Sequence, residues 1–189
     1  MIVVDHGSQD GSRAIAAAEP AVTVLDFAGP GLADVYNTAI AASTAPLVAL
    51  MGQDDLYEPG ALDVLARALG RAPEAGMACG SVHYFVEPGT APPSGMRPGL
   101  TGAPRRARLF ETTLWRGAAL HRLGPLRRRM SSDVDLYLRA HDASVTIAWV
   151  DDVVCHKRLL PGSTGHTPGR NGLLVAAVRE SLKRKGAHG

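Results

Sequence analysis

The sequence LVALMGQDDLYEPGAL, residues 47–62, combines a structural signal with a chemical one. Residues 46–51 form an apolar run without polar alternation, which predicts a strand that is buried on both faces. A helical pattern follows at residues 59–69, so the strand leads through a short polar turn into a helix. In that turn, Asp54 and Asp55 place two adjacent carboxylates at the end of a strand.

Two neighbouring carboxylates in this position repel each other, and a hydrophobic core gains nothing from them. A divalent cation removes the conflict, since Mg²⁺ and Mn²⁺ prefer oxygen ligands, commonly one or two carboxylates together with the phosphates of a substrate. The alternative is a solvated turn whose carboxylates interact with the N-terminus of the following helix. The residues alone fit both interpretations.

The rest of the chain alternates short β-branched runs with Ala- and Leu-rich helical patterns. This alternation predicts an α/β fold with helices on both faces of a mostly parallel sheet. The predicted strands lie at residues 2–5, 22–26, 46–51, 76–85, 108–115, 145–150 and 153–156. The predicted helices lie at residues 12–19, 32–42, 59–69, 117–123, 132–141 and 172–185.

At 189 residues and 46% hydrophobic content, the chain is long enough for one domain with a substantial core. Residues 87–104 contain too many Pro and Gly residues for a regular element, so we expect a mobile loop there. We therefore expect a single domain over residues 1–189. Its two halves are residues 1–86 and 108–189, and a flexible segment at residues 87–107 joins them.

Composition and charge reduce the number of functions that the chain could have. The net charge of +2 provides no overall field for nucleic-acid binding. No stretch approaches the ~20 apolar residues that span a bilayer, and we expect no signal peptide because the first residues lack its basic region. Cys79 and Cys155 lie in apolar surroundings without metal-ligand spacing, so we expect two buried thiols and a reducing, cytoplasmic location.

Two more acidic positions lie at the ends of predicted elements. Asp5 ends the first strand and precedes Gly7 and Ser8, which places a carboxylate and backbone N–H groups where ligands dock in open α/β sheets. Asp133 lies in the first turn of a predicted helix and can point into a cleft, while Asp135 faces a different direction. Ordinary helix capping is the alternative at both positions.

In this order, the acidic sites and their neighbours resemble the family 2 glycosyltransferases of GT-A type fold, over nearly the whole chain. The family's strand and VVDDGSTDGS turn match VVDHGSQDGS (3–12), its next helix matches GPGLADVYNTAIAAS (29–43), and its DxD-type metal motif matches LVALMGQDDLYEPGAL (47–62). Its acceptor-side strand and helix match TTLWRGAALHRLG (112–124), its E-D-x-D-L-x-L-R base motif matches SSDVDLYLRA (131–140), and its closing loop matches KRLLPGSTG (157–165).

The resemblance implies a three-layer α/β/α domain that transfers a sugar from a nucleotide diphosphate donor to an acceptor hydroxyl with inversion, in polysaccharide or glycoconjugate synthesis. It also implies a divalent metal, Mn²⁺ or Mg²⁺, and a glycan or lipid-linked acceptor. Carried over by position, Asp133 is the catalytic base, and Asp54 and Asp55 hold the metal. The implied nucleotide-sugar site contains Asp5, Gly7, Ser8, Asn37, Gln53 and Asp54.

The chain departs from the family pattern at three acidic positions, where His6, Gly52 and Ser132 stand instead. These changes leave a non-catalytic nucleotide-sugar-binding fragment as an alternative to an enzyme. The family also begins with one more strand and helix, whose turn forms the other wall of the nucleotide pocket. We therefore expect this sequence to be an N-terminally truncated form of the fold.

A competing enzyme class rests on VLDFAGPG, residues 24–31. This segment resembles the glycine loop that binds S-adenosylmethionine in Rossmann-type methyltransferases, and Asp54 lies at the distance of the acidic residue that follows the next strand. The middle glycine of that loop is Ala28 here. An S-adenosylmethionine-dependent methyltransferase is thus the alternative enzyme.

The last predicted helix carries apolar residues near one another and basic residues towards its end. This pattern fits either an apolar stripe that packs on the domain or a peripheral contact with a membrane surface. The apolar residues are Leu173, Leu174, Val175, Val178 and Leu182, and the basic residues are Arg179, Lys183, Arg184 and Lys185.

Overall fold

The computed structural model describes residues 1–127, 132–161 and 170–186, and it confirms the α/β class. The first part of the chain contains β1 (Ile2–Asp5), α1 (Ser12–Ala18), β2 (Thr23–Asp26), α2 (Leu32–Ala42), β3 (Leu47–Ala49), β4 (Leu56–Tyr57), α3 (Ala61–Arg71) and β5 (Met77–Phe85). The second part contains β6 (Arg105–Arg106), a 3-10 turn (Phe110–Thr112), β7 (Thr113–Arg116), α4 (Gly117–Leu123), α5 (Ser132–Asp142), β8 (Ile147–Arg158) and α6 (Arg170–Gly186).

Two sheets carry the strands of the described residues. β1 and β2 pair in parallel as a two-stranded sheet. The larger sheet has the order β3-β7-β5-β8-β4, and β6 pairs with β5. In the described part of this sheet, only β5 and β8 are parallel neighbours, whereas β7 runs antiparallel to β3 and β5, and β4 antiparallel to β8. The prediction of a mostly parallel sheet is therefore wrong, because the sheet is mixed.

The physical reason for this error is that an apolar run reports burial and not strand direction. Helices cover both faces of this mixed sheet as they would cover a parallel one. The strand at residues 46–51 therefore has the same apolar sequence pattern in either kind of sheet. Strand directions still bring three ends together. β3 and β5 are both antiparallel to β7 and so parallel to each other, and β8 is parallel to β5. The carboxyl ends of β3, β5 and β8 therefore lie at one edge of the sheet.

The strands predicted at residues 145–150 and 153–156 form one continuous strand, β8. The register between β5 and β8 shifts on both sides of Ser81, which interrupts the regular pattern of buried residues. Gly80 allows the two strands to approach closely there, because a Cβ atom at this position would lie 2.6 Å from Cγ1 of Val154. A local irregularity in one strand thus produced the pattern of two.

Hydrophobic side chains fill both faces of the larger sheet. Alternate residues of β5 divide between the faces, as the two-residue period of a strand requires. Helices α2, α4 and α5 contribute to one cluster and α3 to the other, so the three-layer α/β/α arrangement is confirmed. The first cluster includes Met77, Cys79, Trp115, Leu120 and Leu136, and the second includes Leu65, Leu69, Ala78, Val82 and Val154.

Both cysteines lie in the core, as predicted, and this gives a chemical test of the fold. Cys79 and Cys155 have no exposed surface, and burial raises the pKa of their thiols to about 11 and about 12. Because the thiolate is the reactive form, we expect Ellman's reagent to leave both thiols of the native protein unmodified at mildly alkaline pH. Denaturant should expose both free thiols. Rapid modification of either cysteine before unfolding would contradict this packing.

Candidate functional site

The acidic loop follows β3 at the edge of the sheet where three strands end. β3 ends at Ala49, and residues 50–55 lead from it to β4. The strands parallel to β3, which are β5 and β8, end at the same edge. Ligands of open α/β sheets bind outside the carboxyl ends of the strands, so the loop lies where a substrate is expected.

Asp55 is buried and holds this loop to β8. Its Oδ2 accepts a hydrogen bond from Nζ of Lys157 at 2.5 Å, and its Oδ1 accepts one from the backbone N–H of Arg158 at 3.0 Å. Both carboxylate oxygens are therefore engaged by one strand. The predicted metal role of Asp55 would require this ion pair to rearrange.

Three carboxylates converge around Gly52, which takes the place of the first acidic residue of the DxD-type motif. A Cβ atom at residue 52 would lie 3.2 Å from Oδ1 of Asp54, 3.5 Å from Oδ2 of Asp55 and 3.6 Å from Oε1 of Glu111. A carboxylate side chain at residue 52 would therefore lie among three others. We call Asp54, Asp55 and Glu111, with their counter-ion Lys157, the carboxylate cluster.

Lys157 is the cation of the carboxylate cluster. Its Nζ lies 3.3 Å from Oε1 of Glu111, in addition to its contact with Asp55. Burial alone would lower the pKa of Lys157, but the charges of Glu111 and Asp55 outweigh burial and hold this pKa above its ordinary value. Burial raises the pKa of Glu111, and the charge of Lys157 partly offsets that effect. Among the described residues, Lys157 thus contacts two of the three acidic side chains of the cluster, and Asp54 is the third.

Sequence reasoning did not single out Glu111 or Lys157. Glu111 lies on the 3-10 turn, where a strand was predicted, and its partner comes from a distant part of the chain. Hydroxyl groups fix this turn, because Thr113 Oγ1 and Tyr137 OH both donate hydrogen bonds to the carbonyl of Leu109, at 2.8 and 2.6 Å. The hydroxyl-bearing residues around Glu111 are the local signal that could have indicated the turn.

Asp54 differs from its buried neighbour. It is half-buried, and its backbone carbonyl accepts a hydrogen bond from Nε of Arg158 at 3.1 Å, which fixes the main chain. Within the described ranges, no hydrogen bond or ion pair engages its carboxylate. Gln53, the preceding residue, is exposed. Asp54 is thus the carboxylate of the loop that is best placed to bind an incoming ligand.

Helix α2 contacts the 3-10 turn that carries Glu111 through Tyr36 and not through the predicted Asn37. The amide of Asn37 donates to the carbonyl of Leu126 at 2.9 Å and accepts from its backbone N–H at 2.8 Å, so Asn37 joins α2 to the segment after α4. The adjacent Tyr36 packs edge-on against Phe110 with ring centroids 5.1 Å apart. Burial, followed by the charge of Glu111, raises the pKa of Tyr36.

In the turn after β1, the carboxylate of Asp5 accepts from backbone N–H groups that were expected to be exposed to a ligand. Oδ2 of Asp5 accepts hydrogen bonds from the backbone N–H groups of Gly7 and Ser8, each at 3.2 Å. Gly7 adopts a φ of 77°, which glycine tolerates far better than other residues. His6 Nε2 is hydrogen-bonded to the carbonyl of Gly29 at 2.8 Å and so ties this turn to the loop after β2. The side chain of Asp5 therefore shapes the turn.

Asp133 and Asp135 lie in the first turn of α5 and differ as predicted. Asp135 is buried and its Oδ2 accepts from Nε of Arg139 at 2.9 Å, whereas Asp133 is half-buried. Burial raises the pKa of Tyr137 well above its usual value, and the charges of Glu111 and Asp133 add to this effect. Of the carboxylate cluster, Glu111 thus acts on the same phenol as Asp133.

Parts of two predicted motifs lie outside the described residues. They are Ser131, at the start of the base motif, and residues 162–165, which complete the predicted closing loop. The described part of the closing loop supplies Lys157 and Arg158, which bind the acidic loop through its side chains and backbone.

A metal fits this site only together with a substrate. In the parts of the chain that the structure describes, no group of three or more His, Cys, Asp or Glu side chains could hold a metal ion. Mg²⁺ and Mn²⁺ are often bound by one or two carboxylates and completed by water and substrate phosphates. The carboxylate of Asp54 fits that requirement, and Asp55 could add a second ligand if its ion pair with Lys157 opened.

Replacing Lys157 with Met should lower the free energy of unfolding by ~3 kcal/mol, because it leaves the carboxylates of Asp55 and Glu111 without their cation. Denaturant titration followed by circular dichroism measures this loss. Arg13→Met is the matched control, since the ion pair between Arg13 and Asp26 is exposed to solvent and is expected to contribute little to stability. Small and equal losses in the two variants would contradict the anchoring role of Lys157.

An α/β/α domain with carboxylates at the carboxyl edge of its sheet has the arrangement of proteins that bind nucleotide-linked ligands. The chain belongs to glycosyltransferase family 2, since the family model described as Glycosyl transferase family 2 matches residues 1–131. This match confirms the resemblance drawn from the motifs. It includes residues 24–31, so the alternative of a methyltransferase that uses this loop is not supported.

Solved structures of glycosyltransferases share the fold. A structure of S. aureus TarS 1–349 in complex with UDP-GlcNAc matches with a TM-score of 0.68 at 15% identity, over 97% of this chain and 56% of the TarS 1–349 chain. A structure of glucosyl-3-phosphoglycerate synthase from Mycobacterium tuberculosis, with Mn²⁺, UDP-glucose and phosphoglyceric acid, matches with a TM-score of 0.63 at 18% identity, over 95% and 67%. The chain thus spans about half the length of the TarS structure. No curated protein sequence matches it.

Proposed function

We propose that this chain transfers a sugar from a nucleotide diphosphate donor to an acceptor hydroxyl, with inversion at the anomeric carbon, in polysaccharide or glycoconjugate synthesis. The observation that carries the proposal is the carboxylate of Asp54, which pairs with no other described group and lies in the carboxylate cluster at the carboxyl edge of the sheet. Membership of glycosyltransferase family 2 supports the same class of reaction.

On the donor side, Asp54 would bind a divalent metal, Mn²⁺ or Mg²⁺, that reaches the site with the diphosphate. Such a metal neutralises the negative charge that develops on the leaving diphosphate. The mycobacterial synthase, crystallised with Mn²⁺ and UDP-glucose, is a precedent within the fold. The protein's own contribution is to hold Asp54 in place, through Arg158 at its carbonyl and through the ion pair of Asp55 and Lys157 next to it.

The other residues of the nucleotide site divide into two groups. Gln53 is exposed beside the metal-binding position, and it would contact the donor directly. Asp5 and Asn37 have side chains that bind backbone groups, so they would act by shaping the walls of the pocket. In the turn that Asp5 organises, Gly7 and Ser8 would face the nucleotide.

On the acceptor side, Asp133 would accept the proton of the attacking hydroxyl. It lies in the first turn of α5, where the helix dipole favours a carboxylate anion. In a single displacement, the acceptor oxygen bonds to the anomeric carbon as the diphosphate leaves, and one base is enough to take the hydroxyl proton. Asp135 is unsuited to this role because it is buried in its ion pair with Arg139.

A cleft beneath residues 86–104 would admit the acceptor. It has a volume of about 400 Å³ and lies between the end of β5 and this loop, with a lining that includes His83, Tyr84, Phe85, Pro92, Met96 and Thr101. Tyr84 is the register partner of Lys157, so the cleft adjoins the carboxylate cluster. Movement of the loop would open and close this cleft around a glycan or lipid-linked acceptor. A lipid-linked acceptor would bring the enzyme to the cytoplasmic face of a membrane.

Release of nucleoside diphosphate from a panel of nucleotide sugars tests the proposal. With Mn²⁺ and a panel of glycan and lipid-linked acceptors, at least one donor should be turned over, and chelation should stop the reaction. Proton NMR of the product should show the anomeric configuration opposite to that of the donor. A retained configuration would contradict the single displacement, and the absence of release from every donor would contradict the enzyme assignment.

A further inference from the structure

Helix α6 packs on the domain through one face, and this face is not the predicted apolar stripe. Ala177 and Ser181 are buried, and Oγ of Ser181 donates to the carboxylate of Asp142 at the end of α5, at 2.9 Å. Nε of Arg184 donates to the same carboxylate at 2.8 Å. The attachment of α6 to α5 is therefore partly polar.

The apolar residues of α6 form an exposed stripe. Val175, Val178 and Leu182 are exposed to 47%, 46% and 63%. Their spacing of three and four residues places them in one row on the helix surface. The sequence allowed either an apolar stripe that packs on the domain or a contact with a membrane surface. These three residues do not pack on the described part of the domain. The side chain of Leu173 lies outside the described part, and Leu174 is half-buried.

Basic side chains border this stripe on both sides. At about 100° of rotation per residue, Arg179 and Lys183 fall on one side of the stripe and Lys185 on the other. All three are exposed. Nζ of Lys183 lies 2.8 Å from Glu180, in an exposed pair that contributes little and leaves the ammonium accessible to other anions.

We infer that this surface of α6, formed by Val175, Val178 and Leu182 with Arg179, Lys183 and Lys185 at its borders, docks on an anionic lipid surface. An apolar row between cations matches a bilayer interface, where acyl chains receive the apolar side chains and headgroup phosphates lie on both sides. A second copy of the chain is a poorer partner, because self-pairing would bring the same cations together. Among the described helices, none is long and apolar enough to cross a membrane.

Vesicle flotation tests this inference without donor, metal or acceptor, so its failure is distinct from failure of the proposed transfer. The protein should float with vesicles that contain phosphatidylglycerol, should remain unbound with pure phosphatidylcholine, and should dissociate when salt is raised. The double variant Val178→Asn, Leu182→Asn should bind ~10-fold or more weakly. Leu62→Asn, which alters an exposed leucine of α3, is the matched control and should float like the unmodified protein.

Thermal unfolding of each variant establishes that α6 still packs on the domain. Failure to float with anionic vesicles, or equal flotation with both lipids, would overturn the inference. So would an equal loss of binding in the Leu62→Asn control, since the contact would then not depend on α6. Dimerisation in analytical ultracentrifugation that is lost in the double variant would assign the stripe to a second copy instead.

Discussion

Replacing Asp133 with Asn is expected to lower the turnover number ~100-fold or more, with little change in donor affinity or thermal stability. Asn keeps the size of the side chain and much of its capping capacity in the first turn of α5, but it cannot accept the proton of the acceptor hydroxyl. Initial rates, donor binding and thermal unfolding, measured on one preparation, separate the three effects.

Asp135→Asn is the matched control, since it makes the same change two residues further along α5. Asp135 is buried against Arg139, which also donates hydrogen bonds to the carbonyls of Gly124 and Pro125. This variant is expected to lose ~3 kcal/mol of unfolding free energy, because a buried guanidinium is left without its carboxylate. If Asp133→Asn unfolds the protein in the same way, or transfers sugar at the normal rate, Asp133 is a structural cap and the base lies elsewhere.

Replacing Asp54 with Asn is expected to weaken binding of the nucleoside diphosphate in the presence of Mn²⁺ by ~100-fold or more. Even groups that only support metal ligands are worth ~10–100-fold in metal affinity, and Asp54 is proposed to bind the metal directly. Calorimetric titration of the diphosphate with and without a chelator measures the effect. In the variant the two titrations should become alike, whereas thermal stability should change little because no described group pairs with this carboxylate.

Asp63→Asn is the control for this experiment. It removes an exposed carboxylate from the first turn of α3, close to the loop in sequence but outside the carboxylate cluster. Donor affinity and metal dependence should be unchanged. Asp55→Asn should instead destabilise the fold, since it breaks the contact with Lys157. A selective loss of metal-dependent binding in Asp55→Asn, with none in Asp54→Asn, would transfer the metal role to Asp55.

Much of the fold could be predicted from local patterns. The run LVALM became β3 and the residues after it, and the helices at residues 32–42 and 117–123 were predicted at their observed bounds. Strand direction and pairing were not predictable in the same way, because they depend on which distant segments meet. β7 inserts between β3 and β5, and this order leaves no trace in the composition of any of the three strands.

In the site, too, local features could be predicted from the sequence and long-range contacts could not. The positions of Asp54 and Asp133 follow from local context, at the end of a strand and the start of a helix. The contact between Asp55 and Lys157 joins residues 102 positions apart, and no pattern within either segment reports it. For Asn37 the residue type was correctly matched to the family motif, but the motif did not reveal that its amide binds the backbone of Leu126.

The central claim is that Asp54 and a divalent metal bind the diphosphate of a nucleotide donor. Calorimetric titration of the protein with a panel of nucleoside diphosphates, each with Mn²⁺ and with a chelator, tests it most directly. The account predicts that at least one diphosphate binds, that tight binding requires the metal, and that Asp54→Asn weakens it ~100-fold or more while Asp133→Asn preserves it. Binding of equal strength with and without Mn²⁺, or metal-dependent binding of undiminished strength in Asp54→Asn, would contradict the account.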